Sequence, residues 1–185
     1  MLAQTYETIG KFNEAANIYH QFAIKYTQDK RASSALYNAA TLYKGLNVLD
    51  NAEKLYQLFC RYYPKHELYY QAIQEVAQIQ EKLGKYSDAI TSYETLANHS
   101  SASVDSVLYS KAKASLLMIE HGNKKQGEAG IESLYKTLTR KNSPGAYESR
   151  HLVAEYLFKQ SDKAFKNFIK ISISNSSSSK LNSDV

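Results

Sequence analysis

Cysteine is almost missing from this chain. Cys60 is the only one in 185 residues, which excludes an internal disulfide and any all-cysteine metal site. There is no tryptophan, and only 2 prolines and 7 glycines break the backbone, so turns are few and long helices are expected. No apolar run approaches the roughly 20 residues that a membrane helix needs. The longest notable stretch is 116–119.

Signatures of catalysis are equally scarce. Gly10-Lys11 lacks the upstream glycine and the following hydroxyl residue of a phosphate loop, and no G-x-S-x-G elbow occurs. His20, His66, His99, His121 and His151 stand singly, with neither a second histidine one helical turn away nor a cysteine nearby. Cys60 follows Phe59 on an apolar stripe and reads as a small hydrophobe rather than a nucleophile. Glu75 and Glu81 share one helical segment and read as solvated surface, and the sequons at Asn98 and Asn175 read as chance. A non-catalytic chain without cofactor or metal is therefore expected.

What the chain does have is 43% hydrophobic residues, 22% charged residues and 16 tyrosines, enough to bury a core. Charge is unevenly placed. Residues 1–100 hold 10 basic and 10 acidic side chains, whereas 101–185 hold 13 and 8 and so carry the whole +5. The neutral first half argues against nucleic acid as the partner of the whole chain.

Side chains recur every 37 residues. Ala3, Ala40, Ala77 and Ala114 form one column; Ala15, Ala52 and Ala89 a second; Tyr19, Tyr56 and Tyr93 a third. Phe22, Phe59 and Leu96 follow, then Phe12, Leu49 and Tyr86, then Ile9, Leu46 and Leu83. Alanine recurs where two helices must cross closely. Ala15, Tyr19 and Phe22 are spaced i, i+4, i+7, one stripe of a helix, and the next two units repeat the stripe. Gly10, Asn47 and Gly84 punctuate the units with residues that tolerate the left-handed conformation ending a helix. Asn13, Asp50 and Ser87 follow as cap or first-turn residues. Each unit thus reads helix, tight turn, helix.

The later units are less regular. With Ala114 in register, 122–127 (GNKKQG) lengthens the turn by about five residues and the second helix resumes on Ile131, Tyr135 and Leu138. A fifth unit reads from Tyr147 and Ala154 through a short turn to Ala164, Phe168 and Ile171. The spacing predicts helices over 1–9, 12–27, 31–46, 49–63, 67–83, 86–98, 104–121, 126–141, 146–159 and 162–171. The expected architecture is all-α: a right-handed solenoid of about five helix-turn-helix repeats over 1–171, with units near 1–29, 30–66, 67–103, 104–143 and 144–171. The Ser/Asn-rich stretch 172–185 reads as a tail or linker. Because the chain opens midway along a first helix, a piece of a longer protein is expected.

These columns resemble the tetratricopeptide repeat (TPR). Ala3, Tyr6, Gly10, Phe12, Ala15 and Tyr19 match its pattern in the first unit, and Ala40, Tyr43, Leu49, Ala52, Tyr56 and Pro64 match it in the second. The third has Ala77, Gly84, Tyr86, Ala89 and Tyr93, but Gln80 stands where an aromatic is usual. The ending of the second unit, 59–64 (FCRYYP), is similar to that of bacterial envelope repeat proteins, the Tol–Pal-associated and outer-membrane-assembly members. That likeness implies a periplasmic or envelope location.

The resemblance implies a non-catalytic scaffold whose first helices line a concave groove for a protein or peptide partner, with no small-molecule substrate. By spacing, the groove holds Gln4, Glu7, Ser34, Tyr37, Asn38, Thr41, Lys44, Gln71, Gln74, Glu75 and Gln78. Lys111, Ser115, Met118, His151 and Glu155 extend it. Amides can satisfy a peptide backbone, and tyrosine gives contact area at low entropic cost. Chaperone cofactors of this family grip a C-terminal carboxylate with groove cations. Asn38 fits that pattern, but Gln71 and Glu75 stand where cations should, so such a tail is not expected to bind. The alternative surface is a stripe of Lys159, Lys163, Lys166 and Lys170 at i, i+4, i+7, i+11, suited to an acidic protein, RNA or peripheral contact with anionic lipid. No aromatic interleaving supports stacked bases.

Overall fold

The computed structural model describes residues 2–100, 102–140 and 146–181, and the side chains up to Asn167. Among these the architecture is all-α, nine helices and no strand: α1 (Leu2–Thr8), α2 (Phe12–Lys25), α3 (Ala32–Gly45), α4 (Leu49–Tyr62), α5 (Tyr69–Lys82), α6 (Tyr86–Ala97), α7 (Val104–His121), α8 (Lys124–Leu138) and α9 (Tyr147–Leu181). Each helix packs on its neighbours in sequence, and α9 also reaches back to α7. This is a repeat solenoid.

The turns within the first three units share one mechanism. Gly10, Asn47 and Gly84 adopt φ of 75°, 59° and 72°. The following N–H of Lys11, Val48 and Lys85 then donates back to the carbonyl of Tyr6, Tyr43 and Gln80, closing each first helix with a Schellman-type bond. Asn13, Asp50 and Ser87 lie in the first turn of α2, α4 and α6 and cap nothing, because Lys11, Val48 and Lys85 occupy the cap positions without a side-chain bond.

Burial follows the columns. Ala15, Ala52 and Ala89 are fully buried, and Tyr19, Tyr56 and Tyr93 retain 8%, 1% and 0% of their surface. The apolar core runs continuously from Ala3 to Ile79, with further clusters at α5–α7 and α7–α9. Gln80, the departure from the aromatic column, is buried for a polar reason. Its Nε2 donates to Glu53 Oε1 at 3.1 Å, Ser92 Oγ donates to its Oε1 at 2.8 Å, and Lys85 Nζ lies 2.6 Å from Glu53 Oε2. A buried carboxylate needs such partners.

The fourth unit departs from the expected register. Its second helix starts at Lys124, immediately behind Asn123, whose side chain caps it by accepting from Gln126 N–H. The buried stripe is Gly127, Ile131, Leu134 and Leu138, whereas Tyr135 is 49% exposed. The small residue of the first helix is Ser115, not Ala114. Ser115 precedes Gly127 by the twelve positions that separate Ala3 from Ala15, Ala40 from Ala52 and Ala77 from Ala89. A Cβ on Gly127 would lie 2.5 Å from the Ser115 carbonyl oxygen, so α7 and α8 cross more closely than alanine permits. One inserted residue between Leu96 and Ser110 accounts for the shift, in place of a turn longer by five.

The fifth unit is not a hairpin. The helices expected over 146–159 and 162–171 are one continuous helix, α9, which extends to Leu181 through most of the stretch read as a linker. The expected turn at Gln160-Ser161 contains neither glycine nor asparagine nor proline, so nothing there ends a helix.

Candidate functional site: the face of the first helices

The expected groove residues lie on α1, α3, α5, α7 and α9, and side-chain pairs link α3 to α5 and α5 to α7. At the N-terminal end a cavity of about 520 Å³ lies between α1, α2 and α3. Leu2, Ile18 and Phe22 give it apolar walls, and Gln4, Ser34, Asn38 and Arg31 give it polar ones. Arg31 is held in place by Asp29, with Nη2–Oδ2 at 2.7 Å, and its guanidinium lies 5.3 Å from the Phe22 ring centre. These contacts hold the Asp29 carboxyl down at about 2. Glu7 is half-buried beside the Tyr19 hydroxyl.

In the middle of the face, charges cancel across neighbouring units. Lys44 Nζ meets Glu75 Oε2 at 2.5 Å, and Lys113 Nζ meets Glu81 Oε1 at 2.6 Å. Lys44 and Glu81 occupy equivalent positions of successive first helices. So do Glu75 and Lys113 once the inserted residue is counted. The same bridge is therefore built twice with its signs exchanged, and Lys44 and Lys113 are both paired with acids. A carboxylate ligand would have to displace Glu75 or Glu81 to reach them.

Tyr37 and Thr41 are committed to packing. The Tyr37 ring stands edge-on to Tyr56 and Phe59 at 5.3 and 5.4 Å, and the Thr41 hydroxyl lies 3.0 Å from the Tyr56 hydroxyl. Gln71 is exposed, and Gln74 and Gln78 are half-buried.

The C-terminal half is where spacing misplaced residues. Ser115 and Met118 are buried, 7% and 9% exposed. With Lys111 they line a cavity of about 340 Å³ bounded by α6 and α8, away from the other first helices. The inserted residue rotates them off the face and puts Tyr109 and Lys113 there instead. The clue was in the chain: Gly122 precedes Gly127 by five, as Gly10 precedes Ala15, and this fixes the unit's register from its second half. A second cavity of about 320 Å³ opens here between α5, α7 and α9, lined by Tyr70, Gln74, Asp105, Ser106, Tyr109 and the segment 146–149. Asp105 Oδ1 accepts from the Ala146 N–H at 3.0 Å and fixes the start of α9. His151 is exposed, 4.0 Å from Glu155.

On the basic stripe, Lys159 pairs with Glu155 and Lys166 with Asp162, each at 2.7 Å. Lys163 is exposed, and the side chain of Lys170 lies outside the described residues. Cys60 is half-buried, and burial pushes its thiol up to about 11, so it stays protonated and unreactive near neutral pH. Among the described residues no three His, Cys, Asp or Glu side chains could hold a metal, and no helix is long and apolar enough to cross a membrane.

The sequence matches no curated protein. Two crystal structures of nearly identical TPR-like repeats from a candidate kinesin light chain of Podosopora anserina are similar in fold, with a TM-score of 0.59 and 16% identity. Each match covers 91% of this chain and 88% or 89% of the other. Repeats of this kind generally mediate protein–protein interaction, and the model of the tetratricopeptide repeat family matches residues 34–66, the segment comprising α3, α4 and the turn after them.

Proposed function

We propose that the chain is a non-catalytic scaffold that holds a peptide or protein segment along the face of its first helices. The observation that supports this reading most is the make-up of that face. Two cavities stand at its ends, a charge-cancelled middle lies between them, and Asn38, Gln71, Gln74 and Gln78 are distributed along it. Side-chain amides both donate and accept, so they can satisfy an extended backbone without selecting for charge. The fold is built before binding, so little ordering cost is charged against affinity. An envelope location is part of this reading, and what supports it is the Tyr-Pro ending at Tyr63 and Pro64.

The lysine stripe is the weaker surface, since two of its lysines are neutralised on their own helix. The test uses peptides selected from a displayed random library against the whole chain. Changing Asn38 and Gln74 together to Ala is expected to weaken the selected peptides about tenfold or more, the loss of one or two hydrogen bonds. Reversing Lys163 and Lys166 to Glu is expected to leave them unaffected. Tyr37 is unsuitable for this purpose, because its truncation would open the packing around Tyr56. Loss of binding on charge reversal alone would overturn the groove in favour of the stripe.

A further inference from the structure

The C-terminal cavity differs from the rest of the face in its chemistry. Three tyrosines, Tyr70, Tyr109 and Tyr147, line it together with two carboxylates, Asp105 and Glu148, and among the described lining residues there is no lysine, arginine or histidine. In a chain of net charge +5 that is a local reversal of sign. The Tyr109 hydroxyl senses it: burial raises its pKa most, and the negative charges of Glu148 and Glu81 raise it further. A second observation is independent of charge. Ser149 also lines the cavity, is 1% exposed, and its Oγ has no hydrogen-bond partner among the described residues. A buried hydroxyl without a partner is costly unless a bound group completes it.

We infer that this cavity takes the guanidinium of an arginine carried by the segment that lies along the first-helix face. The inference rests on the groove reading for its peptide, but the pocket's own chemistry selects the side chain. Aromatic faces attract a cation through their quadrupole, and arginine stacks on them with its plane. Its five donors match the acceptors gathered here: two carboxylates, the Gln74 amide oxygen and the Ser149 hydroxyl. Lysine offers fewer donors and a more strongly hydrated charge. An anionic ligand would meet repulsion, and an apolar one would leave Ser149 unpaired. The volume is at the lower end for ligand cavities and suits one long side chain.

The experiment is a backbone-amide NMR titration of the whole chain with acetyl-Gly-Arg-Gly-amide, its lysine counterpart and its neutral citrulline counterpart. Expected shifts concentrate on Tyr109 and Tyr147 to Ser149, with Kd for the arginine probe at least about tenfold below that for citrulline and lysine in between. Glu148→Gln, at an exposed position, should weaken the arginine probe several-fold. Ser149→Ala should do the same while leaving thermal stability equal or higher, because it removes an unpaired hydroxyl. Equal binding of citrulline, shifts centred elsewhere, or indifference to both variants would overturn the inference. Library peptides that bind through Asn38 and Gln74 without arginine enrichment would sink the pocket and keep the groove. Shifts by the tripeptide without any library binder would do the reverse.

Discussion

At the scale of single residues, the tyrosine column explains both packing and a pH limit. Burial, and then the neighbouring Glu7, push the Tyr19 hydroxyl up to about 12; burial drives Tyr56 and Tyr93 in the same direction. A folded-state pKa above the unfolded value of about 10 means that the unfolded chain loses its proton first. The stability contributed by the neutral hydroxyls is therefore complete below pH about 10 and lost as pH rises toward 12. Thermal melts recorded from pH 8 to 12 should show this decline. Changing Tyr19, Tyr56 and Tyr93 to Phe should make it shallower, and an unchanged slope would contradict the assignment. Cys60 belongs to the same scale: its neighbours and burial, more than its identity, decide that it is inert.

At the scale of elements, the crossing of α7 and α8 shows how one position sets a helix pair. Gly127, the fourth residue of α8, is a poor helix former, disfavoured by about 1 kcal/mol relative to Ala. That gain is outweighed, because a Cβ would press on backbone atoms of Ser115 and Ile119 at 2.5 and 2.9 Å. Gly127→Ala is therefore expected to destabilise by about 1–3 kcal/mol, the usual range for overpacking, measurable by urea unfolding. If stability instead rose by the propensity difference, the close crossing would be refuted. Helix α9 makes the opposite point. Its inner turns are fixed by Ala146, Ser149 and Val153 against the preceding pair, while Phe158 and Phe165 remain 74% and 63% exposed farther along. The helix continues because no residue stops it.

For the whole molecule, stability is a chain of nearest-neighbour interfaces rather than one shared core. Tyr56 sits at such an interface: 1% exposed, edge-on to Tyr37 of α3, its hydroxyl on Thr41. Tyr56→Ala is expected to cost about 3–5 kcal/mol. Hydrogen exchange should show protection lost from α3 through α5 first, with α8 affected least. Loss confined to α4 would refute coupling between units. The ladder of Lys44–Glu75 and Glu81–Lys113 belongs to this scale too, since each bridge joins two first helices and leaves the face between the cavities without net charge.

The repeating unit is legible in the letters alone. The columns of alanine and tyrosine, together with left-handed turns at Gly10, Asn47 and Gly84, specify a helical hairpin through local backbone preference and side-chain volume, both written in the neighbouring letters. In the first half, where the period held, Gln4, Ser34 and Asn38 come together on the N-terminal cavity, Lys44 meets Glu75, and Gln74 lines the C-terminal cavity. The second half depends on how the helices pack. A single inserted residue turns a helix by about 100°, which moved Ser115 and Met118 into the core and brought Tyr109 and Lys113 to the face. The C-terminal cavity could not be read from spacing at all. Its walls come from three helices whose meeting depends on how α9 packs on α7, a contact between residues about forty positions apart that no local pattern encodes.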